Sequence, residues 1–203
     1  MSEPRVVALF VEDRAHQEFL KPLLLRIARE ENVAAKVRVF TARGGHARAI
    51  DEFQLFQRLI QKGVEATPDL VVVGIDGNCV TFGKKRNEIL RATEERFKHM
   101  VIAACPDPHV ERWYLADPDS FQKVVGRGPT VGRGKCARDH YKQILADAVR
   151  AAGHPTTLGG IEFAEELVAC MDLYRAGQNV RSLNAFLQDL RAHLRQVGGQ
   201  EEG

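Results

Sequence analysis

Three short stretches hold the residue types that could do chemistry: Glu12-Asp13, Asp76-Gly77-Asn78, and Asp107 with His109 and Glu111. Each begins just past a run of apolar residues. Carboxylate and amide oxygens gathered from separate points of a chain form a hard donor set. Such a set suits Mg²⁺, which takes one or two carboxylates and keeps waters that a phosphate can replace. Asp, Asn and Gly also recur in turns and helix caps for purely local reasons, and Asp13 stands where an N-cap would. The stretches act together only if the elements carrying them bring their ends to one place.

Arg5 to Val11 is almost continuously apolar, the signature of a strand buried on both faces of a parallel sheet. Phe19, Leu20, Leu23, Leu24 and Ile27 then fall at helical spacing, with Pro22 predicting either a kink or a late start near Lys21. Val37, Val39 and Phe40 suggest a second strand, and Ile50, Phe53, Phe56, Leu59 and Ile60 a second helix. Leu70 to Ile75 is β-branched and uncharged, a third strand. The charged segment from Lys84 to Lys98 is compatible with a helix, and Met100 to Cys105 reads as a fourth strand. Alternating strand and helix predicts an α/β fold, an open and mainly parallel Rossmann-like sheet with helices on both faces. In such sheets sites form beyond the carboxyl ends of the strands, where all three acidic stretches lie.

Past Cys105 the pattern changes. Pro, Gly and basic residues crowd residues 124–135. Three helical periodicities follow, at Tyr141 to Val149, Ala164 to Met171 and Leu183 to Leu194. The division is a core over residues 1–122 and a basic loop with a helical extension over 123–203, packed on it. Lys123 to Arg150 carries seven basic residues against two acidic ones, a local charge of +5 in a chain whose net charge is +2. Its glycines would let backbone approach a phosphate chain.

With 203 residues the chain needs neither disulfide nor metal to hold a core, and 44% hydrophobic content argues against disorder. It has no apolar run of membrane-spanning length and no signal-peptide h-region, so the expectation is a soluble cytoplasmic protein. Cys79, Cys105, Cys136 and Cys170 lack zinc-site spacing and read as reduced thiols in or near the core.

Val11 to Leu20 resembles the first motif of TOPRIM domains, a strand ending in Glu and leading into a helix. Leu70 to Asn78 resembles their second motif, a strand ending in Asp-x-Asp. Pro108 to Asp117 resembles a hallmark of short TOPRIM-like proteins related to the overcoming-lysogenization-defect nucleases, in which a proline turn leads into a Glu-x-Trp-Leu-Leu-Ala-Asp helix. Ser182 to Arg191 is similar to that group's ending. The chain departs from the nuclease pattern with Asp13 for Gly, His16 for an acid, and Asn78 for the second Asp. An amide removes one charge, which argues against a two-metal site.

The resemblance implies a TOPRIM-like fold and metal-dependent hydrolysis of phosphodiester bonds in DNA or RNA. It also implies a setting of anti-phage defence and an ATPase protein partner. Glu12 and Asp76 would hold Mg²⁺ (or Mn²⁺), with Asn78 and either Asp107 or Glu111 completing the shell, and Glu12 an alternative general base. Lys135 is the expected transition-state cation, and Arg133, Lys135, Arg138 and Lys142 the expected nucleic-acid contacts. Self-association is left open. Two further readings stand beside this one: a non-catalytic subunit binding nucleic acid or protein, and a phosphotransfer or nucleotide-binding enzyme. His16 and His109 read as ligands, proton carriers or packing groups, His46 as a turn residue, and Trp113 as core.

Overall fold

The computed structural model describes residues 3–78, 80–132, 136–137 and 139–198. Strand β1 (Arg5–Val11) alternates its side chains between two apolar clusters, Val7, Leu9 and Val11 in one and Ala8 and Phe10 in the other. With both faces buried there is no polar side to show, hence the continuous apolar run.

Helix α1 (Arg14–Glu30) begins directly after β1, with Asp13 as its N-cap, and runs through Pro22 without a late start. Proline inside a helix costs about 3 kcal/mol. Against that, Phe19, Leu20, Leu23, Leu24 and Ile27 are each at most 3% exposed, and burying such a side chain contributes about 1.5–3 kcal/mol. Five of them outweigh one proline.

Strand β2 (Ala35–Thr41), helix α2 (His46–Gln61), strand β3 (Leu70–Gly74), helix α3 (Phe82–Ala92), a 3₁₀ stretch (Glu95–Met100) and strand β4 (Val101–Ala104) follow. The sheet has four parallel strands in the order β2-β1-β3-β4. Strand β1 lies between its two successors, so the strand order reverses between β1 and β3. That reversal opens a crevice at their carboxyl ends.

Beyond β4 come α4 (Glu111–Tyr114), α5 (Pro118–Val125), α6 (His140–Ala151), α7 (Ala164–Cys170), α8 (Leu173–Asn179) and α9 (Arg181–Gly198). The short α8 carries too few apolar residues to show a period in the sequence. Helix α1 and the C-terminal helices share one cluster, reaching from Val7 to Leu194, and α2 and α3 cover the other face. Among the described residues no helix is long and apolar enough to cross a membrane.

The cysteines depart from the expectation of reduced thiols in or near the core. Cys105 is a buried free thiol, Cys170 is free but exposed, and Cys136 is disulfide-bonded.

Candidate metal centre

At the crevice, backbone pairing does the first part of the positioning. Val11 stands opposite Gly74, and the Glu12 N–H continues the ladder by donating to the Gly74 carbonyl at 2.9 Å. One residue further the geometry reverses, and the Asp76 N–H donates to Glu12 Oε2 at 3.1 Å, joining positions 64 apart in the chain. Gly74 lets α1 pack closely on β3, because a Cβ there would lie 2.6 Å from Leu20 Cδ1. Gly77 does the same for the next loop. Its N–H donates to the Pro106 carbonyl at 2.7 Å, and a Cβ would stand 2.9 Å from that oxygen. The Asn78 N–H donates to the Pro108 carbonyl at 3.0 Å. The loops after β3 and β4 are thereby fastened to each other.

His16, in the first turn of α1, is the residue this arrangement adds. It is fully buried. The Asp13 carboxylate accepts from the His16 backbone N–H at 3.1 Å and lies 2.8 Å from ring Nδ1. Burial acts against the charged form of Asp13, but the hydrogen bond and charge of His16 hold its carboxyl down to about 2. Asp13 is therefore ionised, and the Nδ1 proton belongs to the ring.

On its other side His16 Nε2 lies 3.1 Å from Asp76 Oδ1 as an ion pair, and neither atom has a hydrogen-bond partner among the described residues. Glu12, His16 and Asp76 each present one donor atom, all within 4.8 Å of one another. Burial would lower the His16 pKa, yet the charge of Asp76 and the hydrogen bond and charge of Asp13 raise it well above the ordinary value. For Asp76 burial pushes upward, and His16 and His109 bring the net shift down.

Asp76 Oδ2 meets His109 Nδ1 at 3.1 Å. That hydrogen bond raises the His109 pKa against the opposing effect of burial. Glu111, at the start of α4, is half-buried. Burial raises its carboxyl, and the charge of Asp76 adds to the rise. It stands within the field of the cluster but outside the group of three. Asp107 also stands outside it, its Oδ2 accepting the Phe82 N–H at 3.1 Å and so fastening the start of α3. Asn78 has a positive φ of 43° and contributes its backbone to the loop junction. Burial pushes the nearby Cys105 thiol up to about 12, which removes it as a nucleophile.

The Glu111 to Asp117 motif is a fastening device. Trp113 is buried, stacks on Phe186, and donates from its indole N–H to Ser182 Oγ at 2.9 Å. Tyr114 reaches the first turn of α1. Asp117 accepts from Ser120 Oγ, the Asp172 N–H and Arg175, tying α5 to α8.

In the basic segment, Arg133, Lys135 and Arg138 lie outside the described residues, whereas Lys123, Arg127 and Lys142 are exposed. Lys85 is a buried cation on α3, held 2.6 Å from Glu88.

Two carboxylates and one imidazole, two of their atoms without hydrogen-bond partners, fit a divalent cation. Sequence reasoning named Glu12 and Asp76 but left His16 open. The Glu12/His16 spacing of four is the usable signal, because it brings a residue in the first turn of a helix back towards the strand end that precedes it. Residues 11–191 match the family model described as Domain of unknown function (DUF4276). No curated protein and no solved structure matches the chain.

Proposed function

From the premise that this chain belongs to the DUF4276 family, matched over residues 11–191, we propose that it is a divalent-cation-dependent phosphodiesterase acting on DNA or RNA. The observation that carries the reading is the convergence of Glu12, His16 and Asp76 at the crevice between β1 and β3. The resemblance to TOPRIM-like nucleases supplies the substrate class and names Mg²⁺ (or Mn²⁺) as the ion.

Glu12, His16 and Asp76 would hold the cation. When bound, it polarises a phosphodiester and lowers the pKa of water at the site. Asp13 orients the His16 ring, and the Asp76 N–H orients Glu12. His109 engages Asp76 through Nδ1 and, 19% exposed at its side chain, has its other ring nitrogen for proton exchange at the rim. Glu111, whose carboxyl burial raises, can share that exchange. Lys135 is assigned to the developing negative charge, and Arg133, Arg138 and Lys142 to neighbouring phosphates. An ATPase partner and a role in phage defence belong to the same proposal through the resemblance alone.

Single- and double-stranded DNA and RNA are incubated with the chain in Mg²⁺ or Mn²⁺, with and without an ATPase partner. Cleavage that disappears in Glu12→Gln and in Asp76→Asn supports the reading. The alternative, a non-catalytic subunit binding nucleic acid or protein, is favoured by Asn78 where the resembling motif has an acid. Binding untouched by both substitutions, with no cleavage in any mixture, selects it.

A further inference from the structure

We propose that the Glu12–His16–Asp76 site takes a first-row transition ion that accepts an imidazole nitrogen (Mn²⁺, Co²⁺ or Zn²⁺) in preference to Mg²⁺; this rests on the cation-site reading above. A histidine buried only for packing would satisfy both ring nitrogens or turn the second towards solvent. His16 does neither. Nδ1 is engaged by Asp13, while buried Nε2 faces Asp76 Oδ1, and neither of those two atoms has a hydrogen-bond partner among the described residues. The two atoms face each other 3.1 Å apart as a buried ion pair, and an ion shared between them would take the place of the proton that now lies there.

The spacing agrees. Two donor atoms that share one ion at bonds of about 2.1 Å and a right angle stand about 3 Å apart. The observed separation is 3.1 Å. Behind the ring, the Asp13 carboxylate on Nδ1–H forms the outer half of a carboxylate–histidine–metal arrangement, which leaves Nε2 as the nitrogen a metal would take on displacing its proton.

The donor set then decides between ions. Mg²⁺ is hard, dehydrates reluctantly and is served by oxygen. Replacing one oxygen by an imidazole weakens the site for Mg²⁺ and strengthens it for borderline ions, whose affinities for nitrogen rise along the first row. Glu12 and Asp76 keep the site anionic enough for a dication of either kind.

The test uses the full chain, freed of metal by a chelator. MnCl₂, CoCl₂, ZnCl₂ and MgCl₂ are titrated separately by calorimetry, and Zn²⁺ is added to histidine-¹⁵N-labelled protein observed by long-range ¹H–¹⁵N NMR. The three transition ions should each bind about tenfold or more tightly than Mg²⁺, and His16→Gln should cost them on the order of 10–100-fold while moving Mg²⁺ little. Zn²⁺ should shift Nε2 of one histidine whose Nδ1 keeps its proton, and Asp76→Asn should abolish that shift. Mg²⁺ binding as tightly as the others, with no histidine nitrogen shifted, overturns the proposal and leaves the cation-site reading standing. If no ion binds, the cation-site reading itself fails. Should His16→Gln not fold, as judged by circular dichroism, the NMR experiment on the unaltered protein decides alone.

Discussion

The hydroxyl of Tyr114 donates to the carbonyl of Ala15 at 2.8 Å, across 99 positions of sequence. Ala15 lies between Asp13 and His16, so α4 braces the turn that presents the candidate ligands. The tyrosine ring also packs against Phe19, with centroids 4.8 Å apart. Tyr114→Phe keeps the ring and removes only the brace. It should cost about 1 kcal/mol in urea denaturation and weaken metal binding by calorimetry, while circular dichroism stays unchanged. Unaltered affinity would mean that the turn is held by its own cap.

Ser182→Ala should be more damaging than an ordinary surface change. It strands the buried Trp113 N–H, at a cost of about 1–3 kcal/mol. A double-mutant cycle with Trp113→Phe should show coupling, because the second substitution removes the stranded donor. Strict additivity would deny the hydrogen bond an energetic role.

Asp117 gives an acid-dependent contribution. Burial would raise its carboxyl, but Arg175, Ser120 and the Asp172 N–H bring it from 3.8 to about 2. Since the folded group titrates below the unfolded one, the unfolded chain takes up the proton first as pH falls. The stabilisation, roughly 2 kcal/mol, is complete well above pH 3.8 and disappears as pH falls towards 2. The difference in unfolding free energy between the natural chain and Asp117→Asn should therefore shrink over that window. A difference constant with pH would contradict the assignment.

Gly77→Ala should disturb the site more than the fold. The new Cβ would sit 2.9 Å from the Pro106 carbonyl oxygen, and a backbone atom cannot swing aside as a side-chain tip can. Separating the loops after β3 and β4 should lower metal affinity by about tenfold, the scale expected when a group that supports a ligand is displaced, with a modest fall in melting temperature. Equal affinity would show that Asp76 is positioned without that junction.

Nucleic-acid affinity should depend on the basic segment through its charge. Combining Lys135→Ala with Arg138→Ala should weaken binding on all sequences alike and flatten the salt dependence of log K by about 2, one for each phosphate that is no longer neutralised. An unchanged slope would remove the segment from the binding surface.

Much of the architecture was legible in the chain itself because its signals are local. The run from Arg5 to Val11 marks a strand buried on both faces, and the periodicities at Phe53 and Leu190 mark amphipathic helices. The position of Asp13 before α1 marks a cap. Acidic residues after apolar runs pointed to Glu12 and Asp76 for the same reason. Other features depended on the assembled fold. Pro22 predicted a break that five buried neighbours override. His16 looked like a missing acid until strand order brought Asp76 against its second ring nitrogen. Asp107, equal to Glu12 by sequence, holds the start of α3. Composition and period report what each segment prefers alone, whereas which donor atoms share one crevice depends on strand order and register, which only long-range packing fixes.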